Sequence, residues 1–361
     1  MLGVMGAETE DRPCPGSHRQ PGPLRSRPVL LSALVALGLL VGLYVGLPQL
    51  AGLDETWGRL RLGDPAWLAA AALLELGSYA GYVVLFRGVF ADARLGWRES
   101  YLITMAGVAA TRVFAAAGAG GIALTAWALS HEGMPRRQLV RGLTTFYVAL
   151  YAVYMAALVL VGVGLRSGLL PGRAPFGLTV VPAVVGALVI AGALATALLP
   201  EDLDGRVPGR LAGSERTARV LAAVSAGAAT VASGVRGALA MVRSRDPALL
   251  GALAWWGFDI AVLWACLEAF GEAPPAAAIV MAYFTGMLGN LLPLPGGVGG
   301  VEGGMIAALL AFGVPGGLAV VSVLSYRALA FWLPTLPGVI AYLQLRRTVS
   351  RWEHSPPGEG P

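Results

Sequence analysis

The sequence predicts an all-α polytopic membrane protein: about six full spans plus two broken or re-entrant helix pairs related as inverted repeats. Three observations carry this. The chain is 56% hydrophobic, only 13% charged, and has a mean hydropathy of +0.69, which is the composition of a membrane protein rather than a soluble one. Several apolar runs reach the roughly 20 residues that a membrane-crossing helix needs. The segment Asn290–Met305, NLLPLPGGVGGVEGGM, sets six glycines and two prolines between apolar runs. Glycine and proline break helices, and broken backbone at membrane depth must be buried in protein or line a cavity.

Residues 1–27 are rich in Pro, Gly, Ser and Arg and read as a disordered cytoplasmic tail. A single integral membrane domain follows over 28–345, and 346–361 form a second cytoplasmic tail. Strong spans are expected at about 29–50, 65–86, 142–164, 178–199, 247–270 and 317–343. The first is too long an apolar run for a usual signal peptide and reads as a retained helix. Two further apolar regions are broken: 99–131, around Ala116–Gly121, and 275–315, at Pro293–Gly300.

Net charge is +5, and every basic side chain other than the three histidines is arginine, since the chain holds no lysine. With so much Ala, Gly, Leu and Val, this suggests a GC-rich bacterial genome. The arginines lie mainly in loops and set topology, so nucleic acid is not an expected partner. Placing arginine-rich loops inside puts both termini in the cytoplasm. It makes 99–131 open from the inner side and 275–315 from the outer side. Residues 214–243 hold Leu221, Val224, Ala228, Val231, Val235, Leu239 and Val242 at spacings of three and four. They read as an amphipathic helix at the cytoplasmic interface, with a further span as the rival.

The two broken regions resemble each other. GAGGIALTAWALSHEGMP (118–135) and GVGGVEGGMIAALLAFGVP (297–315) both begin G-x-G-G and end G-[MV]-P. Repeat one is placed at about 65–164 and repeat two at about 247–343. Opposite orientation would make them an inverted pair, the design of many secondary transporters. The opposing reading is that small residues merely let membrane helices approach closely.

Ionisable groups inside a bilayer are functional candidates by default. They are Glu75, Arg112, Asp259, Glu268, Glu302 and Arg327. Glu302 stands at the start of a half-helix whose free N–H groups favour an anion. Arg327 can hold phosphate in bidentate fashion and is expected to pair with Glu302 at rest. Arg112 is read either as the cationic counterpart in the first repeat or as a residue snorkelling to the surface. Asp259 is expected to bond a backbone gap or Arg327, or to serve packing, and Glu75 and Glu268 are assigned to packing. The expected substrate-binding set is therefore Asn290, Pro295, Gly297, Gly299, Gly300, Glu302, Arg327, Arg112, Gly120, Gly121 and Asp259. No catalytic residue is assigned. The two cysteines and three histidines have no metal-ligand spacing, and no cofactor or metal is expected.

LLPLPGGVGGVEGGMIAALLAFGVP followed by SYRALAFWLP resembles the signature of the lysylphosphatidylglycerol synthase transmembrane-region family. These are flippase-like proteins related to the membrane half of the multiple peptide resistance factor. The resemblance puts Asn290, Pro295, Gly297, Gly299, Gly300, Glu302 and Arg327 at motif positions. It implies a protein of the bacterial cytoplasmic membrane that moves an anionic or polyprenyl-linked lipid between leaflets. The first repeat departs from the family in having Thr111, Arg112 and Ala117. A membrane-embedded lipid-carrier transferase, a small-solute transporter and a non-transporting envelope-assembly partner are the alternatives. No soluble synthase domain follows the last expected span, and without lysine there is no P-loop, so enzymatic activity is left open and not expected.

Overall fold

The computed structural model describes residues 63–91, 93, 95–113, 119–198, 215–292 and 297–354, all within one compact unit, 47–361. The expected first span at 29–50, the N-terminal tail, Pro295 and the last residues of the C-terminal tail lie outside them. Among the described residues every regular element is helical. The protein is an all-α polytopic membrane protein.

Helix α1 (Pro65–Val89) begins where the Asp64 carboxylate accepts the N–H of Ala66 at 2.8 Å, with proline in the first turn. It runs antiparallel to α7 (Leu249–Phe270). Gly81 and Gly251 let these two backbones touch: a Cβ on Gly81 would lie 2.8 Å from the Gly251 carbonyl, and one on Gly251 would lie 2.4 Å from that of Gly81. Small residues at such a crossing serve van der Waals packing where no hydrophobic drive exists between helices.

Helices α2 (Trp97–Val113) and α3 (Ala119–His131) form a hairpin. Its arms meet at Gly107 and Gly121, where a Cβ on Gly121 would come within 2.6 Å of the Gly107 carbonyl. Helices α8 (Ala276–Met287) and α9 (Gly300–Ala311) form a second hairpin, joined through a 3-10 turn at Leu288–Leu291. Gly286 packs on Met305 and Gly304, and Gly289 on Gly300, where a Cβ on Gly289 would meet the Gly300 carbonyl carbon at 2.3 Å. At ~1.5 Å per residue, α8 and α9 are each about 18 Å long. That is shorter than a membrane core of about 30 Å.

The hairpins end alike. Met134 N–H reaches the Leu129 carbonyl at 3.1 Å and Val314 N–H reaches that of Leu309 at 3.0 Å. Gly133 (φ 98°) and Gly313 (φ 94°) supply the left-handed residue this cap requires. Pro135 and Pro315 then open α4 (Arg136–Arg166) and α10 (Gly316–Arg327).

The packing of each hairpin is reciprocal. Arm α8 packs on α4, where Tyr154 donates to the Phe284 carbonyl at 2.5 Å. Arm α2 packs on α11 (Leu333–His354), where a Cβ on Gly338 would sit 2.9 Å from the Met105 carbonyl. Between α10 and α11 lies one π turn, Ala328–Trp332, so the chain stays helical through this region. Pro334 explains the turn. It has no N–H to give the Ala330 carbonyl, and the helix relaxes to wider bonding around that gap.

Five helices are long and apolar enough to cross a membrane: Pro65–Val89, Arg136–Arg166, Phe176–Ala197, Leu249–Phe270 and Gly316–Ser350. They match the five expected spans that fall on described residues. Helix α5 (Phe176–Ala197) turns Val181, Val184, Val185, Leu188 and Val189 outward, as a lipid-facing helix does. Helix α6 (Glu215–Arg243) is not among the five. Ala232, Val235 and Ala238 are buried, and of the apolar stripe Val224, Val231 and Val242 lie on the protein surface. Gly234 and Gly237 press on Thr144 and Thr145, a contact that selects small residues over large apolar ones.

Candidate functional site

Five ionisable side chains meet near the middle of the fold. Glu75 and Asp259 lie about 15 Å from the start of their helices at ~1.5 Å per residue, level with each other across the α1–α7 contact. Glu302 comes from the first turn of α9, Arg327 from the end of α10, and Arg112 from the end of α2.

Arg327 Nε donates to Glu302 Oε1 at 2.7 Å, and both side chains are over nine-tenths buried. Glu302 Oε2 accepts the N–H of Gly299 at 2.7 Å. Gly299, with φ 84°, is the N-cap of α9. A carboxylate three residues into a helix that reaches back to the cap amide also faces the positive end of the helix dipole. Glu302 thus ties a helix start, a glycine turn and an arginine of another helix.

Arg112 turns inward rather than snorkelling. Nη1 donates to the Phe331 carbonyl at 2.5 Å and to Thr335 Oγ1 at 3.0 Å, and Nη2 donates to the Ala330 carbonyl at 2.8 Å and to the Tyr79 hydroxyl. The Ala330 carbonyl is the one to which Pro334 has no N–H to give. The π turn therefore supplies carbonyl acceptors to a cation from the other hairpin. Phe331 lies between the two guanidinium groups, 4.9 Å from Arg112 Cζ and 4.3 Å from Arg327 Cζ to the ring centroid.

Asp259 Oδ2 accepts the hydroxyls of Tyr283 at 2.5 Å and Tyr326 at 3.3 Å. It makes neither the backbone-gap bond nor the direct Arg327 bond expected of it. Arg112 and Arg327 act on it by charge alone. Its Oδ1 has no hydrogen-bond partner, and neither has Oε2 of Glu75. Glu75 is 3% exposed and faces the charges of Asp259 and Arg112, so it belongs to this cluster and not to simple packing. Glu268 is outside it.

The other expected site residues divide. Gly300 and Gly121 are hairpin contact points, and Gly120 is half-buried in α3. Asn290 lies exposed at the tip, its amide on Met287 Sδ at 3.3 Å, with Gly297 (φ 65°) packed against its side-chain oxygen. Glu75, Tyr79, Tyr283, Tyr326 and Phe331 were not expected in the site. Only Glu75 carried a signal, a carboxyl in an apolar run, because a buried tyrosine is an ordinary core residue until its hydroxyl has a partner. Among the described residues no group of three acids, histidines or cysteines could hold a metal.

Two proteins of Methanothermobacter thermautotrophicus, each described as a UPF0104 membrane protein, are similar to parts of this chain. One is 33% identical over 90 residues, which is 25% of this chain and 26% of the relative. The other is 34% identical over 115 residues, which is 30% of this chain and 34% of the relative. The chain thus spans only about a quarter to a third of the length of these curated relatives. The family described as lysylphosphatidylglycerol synthase TM region matches residues 29–338, most of the chain, and the chain belongs to that family.

Proposed function

We propose that the protein moves an anionic phospholipid or polyprenyl-linked lipid between membrane leaflets, with Arg112 as first contact for the phosphate. The observation that carries this is the setting of Arg112. It is half-buried at membrane depth, and its hydrogen-bond partners among the described residues are all neutral oxygens. These hydrogen bonds fix the guanidinium without tying it into a direct ion pair. A guanidinium so fixed is preorganised for phosphate. Arg327 is fully buried on Glu302 and serves as the second cation, released only if that pair opens. This reverses the emphasis the sequence placed on Arg327.

The two halves act as an inverted repeat in this reading. Support comes from their equivalent glycine contacts, Gly107 with Thr125 and Gly286 with Gly304, and from their matching glycine–proline caps. The reciprocal packing of each hairpin on the other half's following helix supports it too. Both termini and the loop after α3 face the cytoplasm, and the loop after α9 faces outside. The substrate and any envelope-biosynthesis partner proteins are part of the same proposal.

The test is reconstitution in phosphatidylcholine vesicles carrying labelled phosphatidylglycerol or a labelled polyprenyl phosphate. Protein-dependent exposure of inner-leaflet label, reduced more than about tenfold by Arg112→Ala, is the expected result. That ratio corresponds to losing about 1.4 kcal/mol of phosphate interaction. No exposure of any label overturns the reading.

A further inference from the structure

We propose that Glu75 and Asp259 form a proton-binding site that couples lipid movement to a proton gradient; the coupling, though not the proton site, rests on the lipid-moving reading above. The cluster holds two arginines and three carboxyls. Arg327 and Glu302 cancel each other. Arg112 then faces two carboxyls, Glu75 and Asp259, and among the described residues one negative charge is left over at membrane depth. An isolated buried charge is too costly to keep, and a buried acid neutralises instead. One proton on the pair makes the whole cluster neutral.

The hydrogen bonding points the same way. Glu75 Oε2 and Asp259 Oδ1 are buried without partners, in side chains 3% and 7% exposed. Among the described residues the only cations near them are Arg112 and Arg327, and Arg327 is already paired with Glu302. Glu75 is faced by Asp259, Arg112, Tyr79, Tyr326 and Cys266. Asp259 is faced by Tyr283, Tyr326, Tyr79, Arg112 and Arg327. The tyrosine hydroxyls donate hydrogen bonds to Oδ2 of Asp259 and leave its other oxygen open. A metal cation would need several more oxygens, whereas a proton needs one.

The coupling follows from charge. A phosphate arriving at Arg112 consumes the positive charge that had balanced one carboxylate. The pair then takes up a second proton, because each ligand raises affinity for the other by the same factor. Proton and anionic lipid therefore travel together. The proton enters from water on one side as an O–H on a carboxyl and leaves to water on the other, with no other bond made or broken.

Two measurements on the intact reconstituted protein decide this. The first is infrared difference spectroscopy. Wild type is expected to show a protonated-carboxyl band near neutral pH that disappears on alkalinisation and is lost in Glu75→Gln or Asp259→Asn. No such band, or one unchanged in both variants, overturns the proton site. The second imposes a pH gradient on vesicles carrying labelled phosphatidylglycerol. Label is expected to accumulate toward the alkaline side by about tenfold per pH unit at one proton per lipid, and the two variants lose this response. Movement that ignores the gradient, or accumulation toward the acidic side, overturns the coupling and leaves lipid movement standing. A titrating band with no movement of any lipid removes the transport reading and leaves the proton site. Should a variant fail to fold, the wild-type band and gradient response still decide.

Discussion

Arg327 and Glu302 form a buried ion pair at 2.7 Å, and the second oxygen of Glu302 holds the cap amide of Gly299 at the same distance. One carboxylate thereby fixes both the start of α9 and the cation behind it. The pair is the neutral half of a larger cluster whose other half sets Arg112 beside Glu75 and Asp259.

Breaking the pair from one side is expected to cost about 3–5 kcal/mol, because an unpaired buried charge remains. Glu302→Ala and Arg327→Ala should each lower the thermal midpoint in detergent sharply. The double variant should be less destabilised than the sum of the two, and strict additivity would show that the residues do not interact.

Arg112→Lys should not restore the function lost in Arg112→Ala. A guanidinium forks to the carbonyls of Ala330 and Phe331 and to two hydroxyls at once, whereas an ammonium has three donors on a flexible stem. Lipid movement measured for both variants checks this; lysine activity near wild type would mean that charge alone suffices.

The hydroxyl of Tyr283 lies 2.5 Å from Asp259 Oδ2 and that of Tyr326 lies 3.3 Å from it. Removing the closer donor should cost more. Tyr283→Phe is expected to destabilise by about 1–3 kcal/mol, the penalty for orphaning a buried polar group, and Tyr326→Phe by less. Denaturation of the two variants side by side gives the order.

The glycine contacts predict a selective pattern. Gly289→Ala and Gly121→Ala place a methyl within 2.3 Å and 2.6 Å of neighbouring backbone and should cost about 1–3 kcal/mol by overpacking. Gly303→Ala meets nothing within 4 Å and should be neutral or slightly stabilising through helix propensity. Thermal midpoints that fail to separate the first two from the third would count against close hairpin packing.

The inverted arrangement predicts opposite sidedness. Gln138→Cys and Gly317→Cys, each at an exposed helix start, in a Cys14→Ser, Cys266→Ala background, should react with an impermeant thiol reagent from opposite faces of oriented vesicles. Labelling from one face only would exclude inversion.

The sequence by itself determined the class, the spans on described residues, and the two breaks. Apolar run length and glycine–proline clustering are local properties, and lipid tolerates few ways of satisfying a backbone. It also picked out Glu302, Arg327, Arg112 and Asp259, because an ionisable group within an apolar run is visible without coordinates. What only the tertiary structure decided is who meets whom. Arg112 looked free to reach the surface, yet the Ala330 carbonyl in the π turn, more than 200 residues along the chain, draws it inward. Glu75 looked like packing until α1 and α7, brought together by Gly81 and Gly251, set it level with Asp259. On α6 the tertiary structure decided which residues meet α4, where Gly234 and Gly237 press on Thr144 and Thr145. Charge pairing and close packing depend on separations of a few ångströms between distant segments, and sequence spacing carries no such distance.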